Sequence, residues 1–237
     1  MGEAIAEATD SASTPPAGTP FACSWSGGKD SCLALYRAIS AGAKPFALLT
    51  MLEESGERSR AHGLGLQVLR AQAASLGLTL VTRAASWETY EPTFVSALRD
   101  LREAGVEACV FGDIDLNEHR QWERKVCAAA AMNAHLPLWQ MERKALLEEL
   151  LSLGFQAMVV ATKDESLGQR FLGRMLDAEL IREFERMGID PCGEAGEYHT
   201  VVVNGPIFAH RLRLVQDRRT LHSGYWFLDV QMAEPAR

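Results

Sequence analysis

The sequence predicts an α/β protein with a parallel sheet covered by helices on both faces, followed by a smaller C-terminal α+β domain. Two observations predict this fold. Apolar, β-prone runs alternate with amphipathic helical runs up to about residue 140, which is the pattern of successive βαβ units. Beyond residue 140, a leucine-rich helical stripe leads to a β-rich end, which predicts a second, differently built unit.

The first half follows a regular order of strands and helices. Strands are predicted at 21–24, 44–52, 78–83, 106–113 and 136–140, where apolar and β-branched residues concentrate. Helices are predicted at 30–40, 64–77, 91–103 and 117–133. Gly77 and Gly105 end two of these helices, and Asn117 is expected to cap the last one. Right-handed crossovers place the carboxyl ends of the strands on one rim, where such sheets bind ligands.

The second half begins with a helix whose leucine stripe ends at Gly154, followed by a strand at 155–162. A long amphipathic helix is predicted next, with four inward residues: Leu167, Phe171, Met175 and Leu176. A glycine-containing loop and a β-rich stretch from about 200 to 232 complete the chain. We therefore expect three regions: a disordered tail at 1–19, a first domain at 20–140 and a second at 141–237.

Composition narrows the class of protein. Residues 1–19 contain three acidic residues and no Lys or Arg, which predicts a disordered tail and argues against a signal peptide. The net charge of −7 argues against a protein that binds long nucleic acid. No apolar run is long enough for a bilayer, and the five cysteines lack C-x-x-C spacing. We expect free thiols in the cytoplasm and no membrane partner.

The loop "SGGKDS" at 26–31 directly follows the first strand and opens the first helix. Gly27 and Gly28 allow backbone N–H groups to approach an anion, and the helix N-terminus adds a positive dipole. Lys29 supplies a full charge, hydroxyls come from the flanking serines, and Asp30 suits Mg²⁺ or a helix cap. The loop is not a Walker motif, because Cys23 stands where that pattern requires glycine. The combination predicts binding of ATP phosphates.

Two further groups of residues lie at positions that suit a ligand. Gly112 and Asp113 end the fourth predicted strand on the same rim, where glycine permits close approach and the carboxylate can meet Mg²⁺ or ribose. An ordinary strand–helix turn is the alternative reading. The second group is the "GEAGEYHT" cluster of Glu194, Glu197, Tyr198, His199 and Thr200. Its carboxylates and its imidazole suit acid–base chemistry. An exposed acidic turn is the alternative here. The other histidines, His62 excepted, are interpreted as structural.

The loop "SGGKDS" resembles the pyrophosphate loop of the PP-loop ATPases, a group of adenine nucleotide alpha hydrolase-like proteins. "VFGDIDLNEHRQWERKVC", "LPLW" and "GEAGEYHTVVVNGPIF" narrow the resemblance to the diphthine–ammonia ligase family, in a bacterial-type member. It spans roughly 21–208, and Ala195 replaces a glycine common in the family. The resemblance implies a Rossmann-like (HUP-type) sheet.

The resemblance also implies site residues. It implies binding of ATP and Mg²⁺ through Ser24, Ser26, Gly27, Gly28, Lys29, Asp30, Ser31, His62, Gly112 and Asp113, with Asp30 and Asp113 at the metal. It implies a catalytic set of Lys29, Asp30, Glu194, Glu197 and His199. A homodimer formed through the C-terminal strands is a further expectation from the family's size and fold.

The implied reaction is an ATP-dependent amidation in which a carboxylate is adenylated and ammonia then displaces AMP. In the family the substrate is diphthine, a modified histidine of elongation factor 2. A corrinoid or other small-molecule carboxylate is the expected acceptor in a bacterial member. Two alternatives stay open: a PP-loop enzyme that modifies tRNA, and an ATP-binding module without catalysis.

Overall fold

The computed structural model describes residues 12–60 and 62–233. It contains two sheets. The first is parallel, with strands β1 (Pro20–Ser24), β2 (Lys44–Leu52), β3 (Thr79–Ala84), β4 (Ala108–Val110) and β5 (Asn133–His135) in the order β3-β2-β1-β4-β5. The second is antiparallel, with strands β6 (Gln156–Lys163), β7 (Tyr198–Asn204), β8 (Leu214–His222) and β9 (Tyr225–Met232) in the order β7-β6-β9-β8. The predicted α/β class and Rossmann-like sheet are confirmed.

Helices cover both faces of the parallel sheet. They are α1 (Lys29–Ser40), α2 (Leu66–Leu76), α3 (Tyr90–Glu103) and α4 (Asn117–Ala129), followed in the second half by α5 (Arg143–Ser152) and α6 (Ala178–Arg186). Side chains alternate along β1, because Phe21 packs in one apolar cluster with α1 and α2 while Ala22 packs in another with α3 and α4. The first cluster continues into the second sheet, so this sheet packs on the α1–α2 side of the molecule.

Helix α2 ends as its sequence predicts. Gly77 adopts a left-handed conformation with φ of 68°, and its N–H bonds to the Ala74 carbonyl at 3.1 Å. Glycine carries no steric penalty there, so it is a favourable stop signal for the helix. The predicted cap at Asn117 is wrong by one residue, since Leu116 precedes α4 as its N-cap and no side chain caps that end.

The predicted fifth strand at 136–140 is wrong, because that segment forms turns and the strand is Asn133–His135. Leu138 and Trp139 are buried in the turn itself. Gln140 has φ of 54° and donates its N–H to the Ile114 carbonyl at 2.6 Å. The apolar pattern thus reflected burial of an irregular segment rather than strand pairing.

The long amphipathic helix predicted around Phe171 is also wrong, although three of its four inward residues are buried. A short 3-10 helix at Gly168–Phe171 is followed by an extended stretch, and α6 starts only at Ala178. Gly173 has φ of 84° and donates to the Val159 carbonyl of β6 at 2.8 Å. Residues 173–176 therefore pair with the first half of β6 instead of forming a helix.

The amino-terminal tail expected at 1–19 falls partly outside the described residues, which begin at residue 12. Ser13 donates its N–H to the Leu136 carbonyl at 3.1 Å, and Gly18 donates to the Gly42 carbonyl at 2.8 Å. Pro15 is buried. Residues 12–19 therefore pack against the first sheet and its connections.

No helix within the described ranges is both long and apolar enough to cross a bilayer.

Candidate active site

A cleft of about 810 Å³ opens at the carboxyl ends of β1, β2 and β4, and the loop before β7 forms its opposite side. This volume suits a nucleotide-sized ligand. Twelve of the residues predicted from sequence line it: Ser24, Ser26, Lys29, Asp30, Ser31, His62, Gly112, Asp113, Glu194, Tyr198, His199 and Thr200. Gly27, Gly28 and Glu197 are not among its lining residues. The structure thus brings most of the predicted site together.

The two glycines of the loop permit close packing beneath the cleft. Gly27 has φ of 84°, and its carbonyl accepts bonds from Gln72 Nε2 and from the Val202 N–H, both at 2.9 Å. A Cβ on Gly28 would lie 2.2 Å from Cε1 of His62. The loop is therefore held between α2 and β7, and glycine is needed for these approaches.

Lys29 is almost fully buried at the start of α1. Its ammonium donates to both carboxylate oxygens of Asp30, at 2.9 and 2.7 Å, and lies 5.5 Å from the ring centroid of Tyr198. Burial alone would lower the pKa of Lys29, but Asp30 and the other surrounding groups outweigh it and the pKa is raised. Lys29 is therefore a fixed positive charge in the cleft.

Hydroxyl groups surround the same helix start. Ser26 Oγ lies 3.1 Å from Ser31 Oγ and accepts the Gly28 N–H at 3.3 Å. Gly112 packs against this turn, because a Cβ there would lie 2.7 Å from the backbone nitrogen of Ser31. Gly112 was predicted to permit close approach of the nucleotide, whereas in the structure it permits close approach of the first turn of α1.

Asp113 belongs to a polar cluster beside the loop. His119 Nδ1 lies 2.6 Å from Asp113 Oδ1. Burial raises the pKa of Asp113, but hydrogen bonds to His119 and Glu123 outweigh it and the pKa is lowered. The same bond to Asp113 raises the pKa of His119. Burial, followed by the charge of Asp113, raises the pKa of Glu123 well above its usual range, so Glu123 keeps its proton to a higher pH than Asp113 does.

His62 and His199 stack with ring centroids 4.6 Å apart. His62 Nδ1 lies 2.9 Å from the Thr200 carbonyl, and a carbonyl only accepts, so Nδ1 carries the proton. Burial lowers the pKa of His62 well below its usual range, and burial followed by the charge of Lys29 lowers the pKa of His199 to about 4. Both imidazoles are therefore neutral at neutral pH.

The loop that carries Glu194 is fixed by Asp190. Asp190 accepts the backbone N–H of Glu194 at 2.8 Å and that of Cys192 at 3.1 Å. Arg143 donates to Asp190 at 2.6 Å and also donates to the carboxylate of Asp115, which follows β4. Burial, then the carboxylate of Asp30, raises the pKa of Glu194 to about 7. The cleft thus holds a carboxyl group, that of Glu194, that is partly protonated near neutral pH.

Glu197 does not join this group. Glu197 and His199 would share one side of a strand that began before Glu197, but β7 begins at Tyr198. Glu197 Oε2 is buried without a hydrogen-bond partner among the described residues. Its backbone carbonyl accepts the Lys163 N–H at 2.8 Å, so the residue packs against β6 instead of lining the cleft.

Asp30 and Asp113 are the predicted metal ligands. Within 12–60 and 62–233, no group of three His, Cys, Asp or Glu side chains is arranged to hold a metal ion by itself. Mg²⁺ is usually held by one or two carboxylates together with substrate phosphates and water. Two carboxylates facing a cleft therefore fit a Mg²⁺ that arrives with phosphates, and they do not fit a permanent protein-bound metal.

Sequence reasoning missed several residues that shape the site. Gln72 is completely buried on α2, and a glutamine on the inner face of an amphipathic helix was a usable signal. His119 was interpreted as structural, yet it lines the cleft. Arg143 gave no sequence signal, because its two partners come from segments far apart in the chain.

Two family models match the chain. The Diphthamide synthase N-terminal domain matches residues 20–134, and the Diphthamide synthase C-terminal domain matches residues 142–234. Together they cover every residue predicted for the site and, except for His135 at the end of β5, both sheets.

Curated relatives described as diphthine–ammonia ligase agree with these matches. The Danio rerio protein is 28% identical over 229 residues, which is 86% of this chain and 90% of the relative. The Homo sapiens protein is 26% identical over 232 residues, 86% of each chain. The Schizosaccharomyces pombe protein is 26% identical over 220 residues, but the match spans 84% of this chain and only 36% of the relative.

Fold, cleft and relatives together define a ligase built on a Rossmann-like sheet with an antiparallel sheet packed beside it. The loop after β1 and the loop before β7 supply the two sides of its site. The chain belongs to the diphthamide synthase family.

Proposed function

We propose that this chain is an ATP-dependent amide-forming ligase. A carboxylate oxygen of the acceptor attacks the α-phosphorus of ATP and pyrophosphate leaves. Ammonia then attacks the activated carbonyl carbon, and AMP leaves with the former carboxylate oxygen. The ligases named among the relatives support this reaction class.

One observation carries the proposal: the two segments predicted separately from sequence meet across the cleft. The backbone N–H of Lys29 donates to Thr200 Oγ1 at 3.1 Å, and the Val202 N–H donates to the Gly27 carbonyl at 2.9 Å. Glu194 and His199 line the same cleft as Lys29. A cation and a titratable carboxyl group therefore face one ligand space.

The residues of the loop suit the phosphates. Lys29 is a buried cation and neutralises charge that develops on departing pyrophosphate. The hydroxyls of Ser24, Ser26 and Ser31 face the cleft beside the N-terminus of α1, a position that favours anions. Mg²⁺, when bound with the nucleotide, offsets phosphate charge and would be held by Asp30 and Asp113. Gly27 and Gly28 let the loop pack against its neighbours, and Gly112 lets the end of β4 approach the first turn of α1.

Glu194 is the residue best suited to receive a proton from ammonium. A general base works best when its pKa lies near the working pH, and the pKa of Glu194 is raised to about 7. His62 and His199 remain neutral and pack beside the loop. Glu197 lies outside the cleft, so we assign it no direct part.

For the acceptor we propose a diphthine-type carboxylate, since the relatives carry that substrate in their name. The corrinoid or small-molecule acceptor, the tRNA-modifying enzyme and the non-catalytic module gain no support from the described residues. Action in the cytoplasm and assembly into a homodimer stay predictions.

The test is product analysis with ATP labelled at the α-phosphate, ammonium, and elongation factor 2 that carries diphthine. AMP and pyrophosphate should form only when both acceptor and ammonium are present. Lys29→Ala and Asp30→Ala should slow turnover by about 100-fold or more, while Lys44→Ala, at an exposed lysine, should not. Release of ADP, or a parental rate from Lys29→Ala, would contradict the proposal.

A further inference from the structure

Beyond the ends of β2 and β3, the cleft has a wall unlike the rest of its lining. It is formed by Arg60, Trp87 and Tyr90. Trp87 is 76% exposed, although its ring borders both the cleft and an adjoining cavity of about 340 Å³. An exposed tryptophan in a concave site is a frequent feature of ligand recognition.

Arg60 is fixed in this wall by three contacts. Its backbone N–H donates to the Met51 carbonyl at 3.1 Å, and its guanidinium donates to the Ala85 carbonyl. The guanidinium carbon lies 4.5 Å from the ring centroid of Trp87. A planar guanidinium stacked on an indole keeps its edge free for hydrogen bonding while its face is covered.

Within the described part of the chain, the guanidinium of Arg60 nevertheless lacks a charge partner and one hydrogen-bond acceptor. Among the described residues, no carboxylate lies within 4.0 Å of its guanidinium, although Glu54 and Glu88 border the adjoining cavity. Its Nε is buried and has no hydrogen-bond partner there. Lys29, by contrast, is paired with Asp30. Since Arg60 also lines the cleft, a ligand that brings a carboxylate would supply the charge partner that its guanidinium lacks.

Away from the loop after β1, the cleft disfavours an anion that lacks bound metal. Asp30, Asp113 and Glu194 line it, and Glu91, next to Tyr90, is paired with Lys125. A carboxylate that enters the cleft is therefore most stable beside Arg60, where it can form a charge-assisted hydrogen bond with the guanidinium. The rings of Trp87 and Tyr90, with centroids 5.9 Å apart, offer apolar surface beside it.

We propose that Arg60, Trp87 and Tyr90 form the acceptor subsite, in which Arg60 binds a carboxylate of the acceptor and the two rings hold its apolar body. The assignment rests on the proposed ligase function. It divides the cleft into a phosphate side at the loop after β1 and an acceptor side at the ends of β2 and β3.

The experiment uses phenylacetate as a carboxylate probe and phenylacetamide as its neutral match, titrated by calorimetry into the full chain. A non-cleavable ATP analogue is titrated in parallel. The parent protein should bind phenylacetate about tenfold more tightly than phenylacetamide. Arg60→Met keeps an apolar stem against Trp87 and should abolish this preference, while Arg60→Lys should restore only part of it. Arg83→Ala, at an arginine on β3 paired with Asp100, is the control and should keep it.

Binding of the ATP analogue separates this subsite from the ligase proposal. If Arg60→Met leaves that binding unchanged while the carboxylate preference disappears, the subsite is supported. If the parent protein shows no preference, or Arg60→Met retains it, the subsite is wrong and the ligase proposal stands. If Arg60→Met weakens the ATP analogue instead, Arg60 belongs to the nucleotide. A parent protein that fails to bind the analogue would overturn the ligase proposal itself.

Discussion

The contact between Gly28 and His62 shows how a single missing side chain shapes the site. The histidine ring occupies the space that a Cβ at Gly28 would need, 2.2 Å from Cε1. Gly28 has φ of −93°, so its backbone conformation is open to any residue. Space alone, and no backbone strain, explains the glycine at this position.

Gly28→Ala should therefore lower the free energy of unfolding by about 1–3 kcal/mol, the usual cost of overpacking, and weaken ATP binding because His62 must move. Chemical denaturation and calorimetry measure both effects. Gly65→Ala is a matched control, since its Cβ would find its nearest neighbour at 4.0 Å. Adding His62→Ala to Gly28→Ala should recover most of the lost stability, and failure to do so would contradict the steric account.

Glu194 provides a test through pH. Its pKa is about 7 in the folded protein, against an ordinary value of 4.5. Between these values the folded state binds more protons than the unfolded state, so the contribution of Glu194 to stability falls as pH rises. Glu194→Gln removes this term. The melting temperature of Glu194→Gln minus that of the parent should increase between about pH 4.5 and pH 7 and stay constant outside this window.

Thermal melts without nucleotide, in buffers from pH 4 to pH 8, measure the difference. Glu165→Gln, at a glutamate with 85% side-chain exposure, is the control. A constant offset between Glu194→Gln and parent at every pH would show that Glu194 titrates normally.

At the scale of elements, helix α2 joins the loop to the second sheet through Gln72. Its side chain accepts from Trp25 Nε1 at 3.0 Å and donates to the carbonyls of Gly27 and Val202 at 2.9 and 2.8 Å. One buried amide thus connects the end of β1, the loop and β7. The strength of a buried polar contact lies mostly in the penalty for leaving its partners unpaired.

Gln72→Leu should consequently cost about 2–4 kcal/mol of stability and loosen the loop against β7. Urea unfolding measures the first effect, and weaker binding of an ATP analogue reports the second. Gln67→Leu places the same change on an exposed position of α2 and should be nearly neutral. Equal stability of the two variants would show that the buried amide does not hold the loop.

Prediction from sequence was most accurate where local signals and tertiary structure agree. The run at 44–52 matches β2 residue for residue, and Gly77 ends α2 as predicted. It was wrong at 136–140 and around Phe171, where burial within irregular backbone imitates the periodicity of regular elements. Pairing of residues 173–176 with β6 is a long-range contact that no local pattern records.

The candidate site was predictable to a similar degree. Lys29 and Asp30 follow from the loop motif, and Glu194 follows from the family resemblance, since each signal lies within a few consecutive residues. The Arg143–Asp190 pair and the stacked histidines join segments 47 and 137 residues apart. Such contacts depend on the strand order β3-β2-β1-β4-β5, which the sequence does not encode locally.

In the whole molecule, the two sheets supply opposite sides of one cleft, in which we propose that the nucleotide binds. Hydrogen–deuterium exchange with an ATP analogue that has a methylene bridge between its α- and β-phosphates tests this claim directly. The analogue should protect residues 26–31 and residues 193–200 at the same concentrations. Protection of the first segment alone, or of neither, would contradict it.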